Sequence, residues 1–228
     1  MDTYHHGDLR QALIDATESL LAERGPEAFS LREVARRAGV SPAAPAHHFG
    51  DASGLLTAVV ALAFAGLTQA LREGDARGGS DPRARLREQG VGYVEFALRH
   101  PGRFRLMFRD GLLREGPDLV HNATAAFEVL EGGVRAALGV PAGQALAPDD
   151  WSALLALWSV VHGFAHLAIA GRFDWIAGRA GRQLFVEGTV RPMLERVLDG
   201  TVPAPRRRST HTKAAHTTPR RPGNARRA

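Results

Sequence analysis

Cysteine is absent from this chain of 228 residues, which excludes disulfide bonds and thiolate metal sites. Lysine is almost absent, since Lys213 is the only one and arginine supplies the other basic residues. The N-terminus lacks the apolar stretch of a secretory signal, and no apolar run has the length that a bilayer requires. These absences predict a soluble cytoplasmic protein that has no membrane partner.

Valine and isoleucine are sparse, whereas alanine and leucine are plentiful, a composition that favours helix over sheet. Apolar residues recur with the period of a helix along most of the chain, as at Leu9, Leu13, Ala16 and Leu20. The sequence therefore predicts an all-α protein with about nine helices and no strand. The predicted helices cover approximately 9–24, 30–38, 41–49, 52–73, 81–100, 103–113, 117–138, 151–170 and 182–198.

The net charge of +5 comes from one end of the chain. From Pro203 to Ala228 there are eight basic residues and no acidic one, which leaves 21 basic and 24 acidic residues in the remainder. The end of the chain has almost no bulky apolar side chain, so residues 201–228 are predicted to be a disordered basic tail. We expect this tail to add a nonspecific tether to DNA.

A short helix, a glycine-containing turn and a second short helix are predicted within "SLREVARRAGVSPAAPAHHF", residues 30–49. Ser30 begins a capping-box pattern, and Gly39 supplies the left-handed backbone that often ends a helix. Ser41 is the predicted N-cap of the second helix, and Pro42 is its first residue. This arrangement is a helix-turn-helix, whose second helix enters the major groove of DNA.

The small, polar and basic residues of this motif are the candidate DNA contacts. Serine hydroxyls, arginines and helix N–H groups can hold phosphates, and alanine can contact a thymine methyl group. The candidates are Ser30, Arg32, Arg36, Arg37, Ser41, Pro42, Ala43, Ala44, Ala46, His47 and His48.

Several of these candidates have ordinary structural explanations that remain open. Ser41 could act only as a cap, and Arg36 with Arg37 could form a solvated face. His48 could pack with Phe49 beneath the short helix.

The stretch "LIDATESLLAERGPEAFSLREVARRAGVS", followed by "HHF" and a long helix, resembles the TetR family of transcriptional repressors. The similarity covers residues 9–61. In the C-terminal half, Trp158, His162 and Gly163 in "LWSVVHGFAHL" resemble the Trp-His-Gly motif of one branch of that family.

The resemblance implies a homodimer with two domains in each chain. Residues 1–50 would form the helix-turn-helix DNA-binding domain, and residues 51–200 would form an effector-binding and dimerisation domain. It further implies a ligand-responsive repressor that binds a palindromic double-stranded DNA operator and is released by a small hydrophobic effector.

Two positions depart from the family pattern. The family usually has a phosphate-contacting tyrosine where Ala46 stands, and a lysine near the start of the fourth helix where Ala52 stands. Residues 1–50 contain five arginines and seven acidic residues, so this segment is not basic. DNA binding should then be weaker than is usual in the family. An alternative function is a degenerate head on a small-molecule-binding or protein-interaction module.

Aromatic residues at helical spacing are usually core, but the family resemblance implies a ligand pocket. The candidate ligand-binding residues are Tyr93, Phe96, Phe104, Met107, Phe108, Phe127, Trp158 and His162. Trp158 and His162 lie four residues apart on one helical face. Such a pocket would be mostly apolar and would bind the unidentified small-molecule effector. Its polar groups would come from His100, His121, His162 or His166.

The last two predicted helices carry leucine, valine and phenylalanine on more than one side. A helix of this kind needs cover from beyond its own neighbours. Pairing the two helices with their copies across a two-fold axis would give a four-helix dimer interface. The alternative is that they are covered within one subunit.

No motif of a known enzyme class is present: there is no GxSxG, phosphate loop, HExxH or dinucleotide fingerprint. Asp149 and Asp150 are adjacent, so on a helix they point in different directions and are better explained as helix-start charges. The histidine pairs at 5–6 and 47–48 lack supporting carboxylate or cysteine spacing for a metal site. The sequence therefore predicts neither an enzyme nor a cofactor.

Overall fold

The computed structural model describes residues 6–109 and 111–202, and within them it has ten α-helices and no strand. The all-α prediction is confirmed. The helices are α1 (His6–Arg24), α2 (Leu31–Arg37), α3 (Ala44–Phe49), α4 (Ala52–Arg77), α5 (Pro82–Arg99), α6 (Pro101–Met107), α7 (Pro117–Leu138), α8 (Pro148–Ile169), α9 (Asp174–Phe185) and α10 (Arg191–Thr201).

The C-terminal helices differ most from the prediction of a single last helix. The helix α9 begins earlier than expected, and Gly181 breaks it with a φ of 75°. A π-helical turn, Val186–Val190, then continues into α10. The last helix runs slightly further than predicted, since Thr201 ends α10 and Val202 is buried. The rest of the predicted tail, residues 203–228, lies outside the described residues.

The helices α4 and α5 form the centre of the molecule and run antiparallel. Their backbones touch because glycine stands at the crossing points. A Cβ atom added at Gly74 would lie 2.3 Å from the carbonyl oxygen of Glu88, and one added at Gly92 would lie 2.4 Å from that of Ala70. A side chain at either position would force the two helices apart. The close approach fixes the frame against which α7, α8 and α10 pack.

The capping box predicted for α2 does not form. Ser30 stands at the N-cap position with extended backbone, but no side-chain hydrogen bond caps the helix. The physical reason is that the Glu33 carboxylate binds Arg36 and Arg37 instead of reaching back to the helix start.

The start of α3 also differs from the prediction. Ser41 and Pro42 belong to a turn in which the Ala44 N–H donates to the Ser41 carbonyl at 3.0 Å. The α-helix begins at Ala44, because Pro45 is tolerated only in the first turn of a helix. The cap expected for α4 is present, since the Asp51 carboxylate accepts the Gly54 N–H at 3.0 Å.

We call the first three helices the head and the helices from α4 onward the body. The short helix α6 packs between the two. A Cβ atom at Gly102 would lie 2.5 Å from the carbonyl oxygen of Leu21, so α6 presses directly on α1. An ion pair joins Arg103 to Glu18 of α1. These contacts make α6 one of the two helices through which the body touches the head, the other being α4.

Two helices, α4 and α8, are long and apolar enough to cross a membrane by length and composition. The expectation that no segment reaches this length is therefore wrong by this criterion, because small residues raise the mean hydropathy without forming an unbroken apolar run. Half of the most apolar stretch of α4 is buried, as in the core helix of a soluble protein, but only 28% of that of α8 is buried.

Candidate DNA-binding surface and ligand cavity

A tight turn sets α3 at an angle to α2. The Val40 N–H donates to the Ala35 carbonyl at 3.0 Å, and the Gly39 N–H donates to the Arg36 carbonyl at 3.3 Å. This is the Schellman pattern of helix termination, and the φ of 67° at Gly39 is the left-handed conformation that it needs. Because the last carbonyls of α2 are satisfied within the turn, the helix-turn-helix is a defined structure and not a loose connection.

The outer surface of the turn and of α3 is small and uncharged. Ser41, Pro42, Ala43, Ala46 and His47 are exposed. This surface can approach another molecule closely because three of its five side chains are alanine or serine.

The inner side of α3 packs against α2 and α4. Pro45 is buried, Ala44 and His48 are half-buried, and Phe49 packs against the hydrophobic core. The rings of His47 and His48 lie 5.4 Å apart, and the guanidinium of Arg10 lies 5.1 Å above the ring of Phe49. The structure thus places His47 on the outer surface and His48 at its edge.

Two of the candidate arginines already bind carboxylates. Arg37 binds Glu23 of α1 through two hydrogen bonds of 2.9 and 2.7 Å, and also binds Glu33 at 3.0 Å. Arg36 binds Glu33 through two bonds of 2.8 Å. Hydrogen bonds from Arg36 and then Arg37 lower the pKa of Glu33 to about 2, so this carboxylate stays charged near neutral pH.

These ion pairs separate the arginines by role. The Arg37 side chain is 16% exposed and ties α2 to α1, whereas the Arg36 side chain is 69% exposed and can exchange its partner. Arg32 is exposed and forms no ion pair with the described residues. It is the candidate whose charge is most available to a phosphate. Ser30 is exposed beside it.

A cavity of about 210 Å³ lies inside the body, and its wall is almost entirely apolar. Helices α4, α5, α7, α8 and α10 and the end of α6 enclose it. The residues that line it are Phe64, Leu67, Leu71, Leu86, Arg87, Gln89, Gly90, Tyr93, Phe108, Ala123, Ala126, Phe127, Leu130, Leu157, Trp158, Val161, Leu194 and Leu198.

Four of the eight candidate ligand residues line this cavity: Tyr93, Phe108, Phe127 and Trp158. The other four lie behind its wall. Phe104 is fully buried, with its ring 5.5 Å from that of Tyr93. Phe96 and Met107 are buried in the core, and His162 contacts the wall from behind.

The hydroxyl of Tyr93 connects the wall to the histidines behind it. It lies 2.8 Å from Nδ1 of His162, and the ring of His162 lies 4.5 Å from that of His166. Burial raises the pKa of Tyr93, against the opposing effect of a hydrogen bond with Trp158. Burial, and then the neighbouring His166, lowers the pKa of His162. Both groups are therefore neutral near pH 7.

None of the four histidines expected to supply polar groups lines the cavity. His121 is exposed on α7, the ring of His100 lies 5.1 Å from that of Phe96, and His162 and His166 contact Phe108 from outside the wall. The polar side chains of the wall are instead those of Arg87, Gln89, Tyr93 and, through its indole N–H, Trp158.

The sequence reasoning missed Gln89, although a signal was available. Gln89 precedes Tyr93 by four residues, so the two share one face of α5. It also missed Leu194 and Leu198 of α10, whose position depends on a buried carboxylate. Glu88 is 5% exposed and binds Arg191 of α10 through two hydrogen bonds of 2.9 and 2.8 Å. This clamp holds α10 against α5 and so closes the floor of the cavity.

The outer face of α8 is apolar and has no cover among the described residues. Its centre is a row of small residues, Ser152, Ala156, Ser159 and Gly163, each on the same side of the helix. Large apolar side chains flank this row. They are Leu155 (49% exposed), Val160 (39%) and Leu167 (49%).

Two known families match successive parts of this chain. The family described as "Bacterial regulatory proteins, tetR family" matches residues 13–59, and the family described as "Tetracyclin repressor-like, C-terminal domain" matches residues 86–191. The chain belongs to the TetR family. The first match contains α2 and α3, and the second contains much of the cavity wall.

Solved structures resemble the chain along most of its length. A Rhodococcus sp. RHA1 protein of unknown function shares 32% identity over 89% of this chain and 100% of its own, with a TM-score of 0.69. A TetR family transcription regulator from Marinobacter aquaeolei VT8 shares 21% identity over 84% of this chain and 95% of its own, with a TM-score of 0.60.

A third similar structure is the TetR family transcriptional regulator PfmR from Thermus thermophilus. It shares 20% identity over 83% of this chain and 94% of its own, with a TM-score of 0.58. At such identities the similarity concerns the fold. Together with the family matches it identifies a DNA-binding transcription regulator of the TetR family, with a helix-turn-helix head and a helical C-terminal body.

Proposed function

We propose that this TetR family member is a repressor that binds a palindromic operator as a homodimer and leaves it when a small hydrophobic effector occupies the body. The observation that carries the proposal is the apolar cavity, which six helices build around a wall with four polar side chains. A cavity of this kind is typical of small-molecule sites.

Of the two helices predicted to pair across the two-fold axis, the first, α8, supports the homodimer through its outer face, whereas Val190, Leu194 and Leu198 of the second are buried within one subunit. Two copies of α8 can approach closely along the row from Ser152 to Gly163, and the flanking leucines and Val160 then bury their exposed surface. A two-fold pair of chains carries two α3 helices, so its binding site on DNA is an inverted repeat. Residues 1–50 act as the reading head, and residues 51–200 bind effector and the second copy.

Release of DNA follows from the position of α6. Phe108, at the end of α6, lines the cavity, and its ring lies 4.4 Å from that of His162. At its other end, Gly102 presses on Leu21 of α1. An effector that displaces Phe108 therefore shifts α6 against the base of the head. The two heads of the dimer then no longer match the spacing of the half-sites.

A gel shift on the DNA upstream of the chain's own gene tests the proposal, with butylphenol as the first apolar ligand. We expect a retarded complex at low salt that disappears as the ligand is added. The control is an unrelated duplex, whose weak binding should not respond to ligand. A complex that ignores every apolar ligand at saturation would contradict the release step.

A second candidate function is a small-molecule-binding or protein-interaction module with little specific DNA binding. The pairing of Arg36 and Arg37 with Glu33 and Glu23 favours it, because these arginines carry no net positive charge to a phosphate. Ala46 and Ala52 stand where the family usually has two DNA anchors, and Ala52 is exposed at the start of α4. A well-folded dimer that fails to retard any DNA at low salt supports this second function.

A further inference from the structure

We infer that the cavity binds an uncharged alkyl-substituted aromatic molecule, with its ring at the end next to α6 and its alkyl chain directed towards α10. The inference rests on the proposed effector function and names the chemical class and the orientation of the effector. It follows from the uneven distribution of aromatic rings and leucines over the cavity wall.

Aromatic rings of the wall are gathered at one end of the cavity, where contacts between rings connect them. Phe64 contacts Phe108, with ring centroids 6.1 Å apart, and Phe127 contacts Trp158 at 5.9 Å. His162 lies behind the wall and joins these two pairs. Its ring lies 4.4 Å from that of Phe108 and 6.5 Å from that of Trp158.

Tyr93 adds a fifth ring to the same end. Its hydroxyl lies 2.8 Å from Nδ1 of His162, and its ring lies 5.5 Å from that of Phe104 of α6. Because Phe108 also belongs to the end of α6, this is the end of the cavity that lies next to α6. Every phenylalanine, tyrosine and tryptophan that lines the cavity is at this end.

The central helices α4 and α5 both change from ring to leucine along the cavity. On α5, Leu86 lies two turns before Tyr93, which is about 10 Å along the helix. On α4 the order is reversed, since Phe64 lies two turns before Leu71. Because the two helices are antiparallel, both rings lie towards one end of the cavity and both leucines towards the other.

The leucine end is completed by α10, which contributes only Leu194 and Leu198 to the wall. Leu194 lies against Gly90, where an added Cβ atom would be 3.1 Å from Cδ1 of Leu194. Further along, Asp199 of α10 binds Arg83 near the start of α5 at 3.0 Å. The helix α10 therefore runs from Gly90 towards the start of α5, away from the rings.

The size and charge of the cavity limit the ligand further. An apolar protein cavity of about 150 Å³ binds benzene, and the volume here, about 210 Å³, leaves room for a short alkyl chain on the ring. Arg87 is the charged residue of the wall, and Glu88 and Glu195 already neutralise it. A carboxylate ligand would have to compete with them and would lose its hydration in an apolar cavity. The ligand is therefore uncharged.

Butylbenzene and butylcyclohexane test the inference on the unaltered full-length protein. They carry the same chain on a six-membered ring, but only the first ring is aromatic. Edge-to-face and offset contacts between aromatic rings stabilise a complex beyond the area that they bury. We expect butylbenzene to bind about fivefold more tightly, although the saturated ring is the more hydrophobic one. The depletion of each volatile hydrocarbon from the headspace above the protein solution measures both affinities.

Nuclear Overhauser contacts test the orientation of bound butylbenzene. We expect its ring protons to contact the indole protons of Trp158, because Trp158 lies among the rings of the wall. Its terminal methyl group should contact the methyl groups of Leu194 or Leu198 on α10. Ring contacts to α10 together with methyl contacts to Trp158 would reverse the orientation and overturn the inference.

The variant Phe127→Leu tests the aromatic end itself, because it keeps an apolar side chain and removes the ring. We expect the preference for butylbenzene over butylcyclohexane to fall, while butylcyclohexane binds as before. Phe164→Leu is the matched control. Phe164 is also half-buried and stacked on another ring, that of Phe173 at 4.8 Å, but it does not line the cavity. Its removal should leave the preference unchanged.

The outcomes separate the inference from the function on which it rests. Equal affinity for the two hydrocarbons in the unaltered protein, or tighter binding of butylcyclohexane, overturns the inference but leaves an effector cavity. Tighter binding of butylbenzene without release of the operator supports the inference and contradicts the proposed release of DNA. Failure of both hydrocarbons to bind removes the effector cavity and the inference together. The first comparison needs no variant, so it remains decisive even if Phe127→Leu does not fold.

Discussion

The outer faces of α3 and α8 are both built on small residues, but their surroundings differ. On α3 the neighbours of Ala43 and Ala46 are the polar residues Ser41 and His47. On α8 the row from Ser152 to Gly163 is flanked by large exposed apolar side chains. Small residues allow close approach in both places, and the residues around them indicate what approaches.

The difference shows that apolar content alone does not identify an interface. The polar residues around the small residues of α3 suit a phosphate backbone, whose contacts supply much of the affinity for DNA. Arg32 lies beside them and has no ion-pair partner among the described residues. An apolar rim suits a second copy of the same helix, which removes the exposed leucines from water. We therefore expect that a change on the α3 face weakens DNA binding without affecting dimerisation, and that a change on the α8 face disrupts the dimer without unfolding the head.

The largest effect is expected at the centre of the α8 face. Gly163→Arg should give a folded monomer, because a Cβ at Gly163 meets no atom within 4 Å in the single chain. In the dimer the arginine would hold the two α8 helices apart. Operator affinity should fall by about 100-fold or more, since binding through two linked heads is lost. Sedimentation and DNA titration measure the two effects.

Gly132→Arg is the control for that change. Gly132 is likewise a helical glycine with no atom near an added Cβ, but it is exposed and lies on α7, whereas Gly163 is half-buried on α8. This variant should stay dimeric and bind DNA normally. If Gly163→Arg also stays dimeric with unchanged operator affinity, α8 is not the dimer face.

Removal of residues 203–228 should have the next largest effect. The eight basic residues of this segment can each displace counterions from DNA. We expect the deleted protein to bind all DNA more weakly and to show a shallower dependence of affinity on salt, without a change in the preferred sequence. Titrations at several salt concentrations measure the slope. An unchanged slope would defeat the proposal that the tail is a DNA tether.

A smaller effect is expected within the head, where Arg32→Ala is compared with Arg36→Ala. Arg32 has no carboxylate partner among the described residues, whereas Arg36 pairs with Glu33. Loss of Arg32 should weaken binding to all DNA sequences. It should also lower the slope of log affinity against log salt concentration by about one for each bound subunit. Loss of Arg36 should change the slope less. The opposite order would show that the ion pair with Glu33 opens on DNA.

The smallest effect concerns the inner side of α8. Burial lowers the pKa of His162, and the neighbouring His166 lowers it further. Burial also lowers the pKa of His166, and the charge of Arg105 adds to this effect. The unfolded chain therefore takes up protons on these histidines near the ordinary pKa of about 6.5, before the folded protein does. The free energy of unfolding contributed by the neutral histidines is full above that pH, and it is lost as the pH falls through the lowered pKa values of the folded state. The melting temperature should drop on acidification.

The variant His162→Phe should flatten that dependence on pH, and His121→Phe, at an exposed position of α7, should not. Loss of the hydrogen bond between His162 and Tyr93 lowers the melting temperature at every pH. The quantity to compare is therefore the slope of melting temperature against pH, and not the melting temperature itself. A slope that is unchanged in His162→Phe would contradict the assignment.

Local patterns predicted much of this fold. Helical periodicity located most helices up to α8 within a few residues, but α6 ends at Met107 and not at residue 113 as predicted. The glycine at 39 marked the turn of the helix-turn-helix, and Asp51 marked the start of α4. These features depend on residues that are close in the sequence, so the amino-acid sequence alone is enough to predict them.

Features that depend on distant residues were not predicted. The bond between Arg37 and Glu23 ties α2 to α1, and it requires the crossing of these two helices. The floor of the cavity requires Glu88 to meet Arg191 across 103 positions. The place of Gln89 in the cavity wall depends on helix packing and on its bond to Asp75. No local spacing carries this information.

Selection of bound DNA from a random pool, followed by sequencing, tests the central claim most directly. We expect an inverted repeat, because in the proposed α8-mediated dimer two copies of α3 would face the duplex across the two-fold axis. Recovery of a single unrepeated site, or of no preferred sequence from a folded dimer, would contradict it.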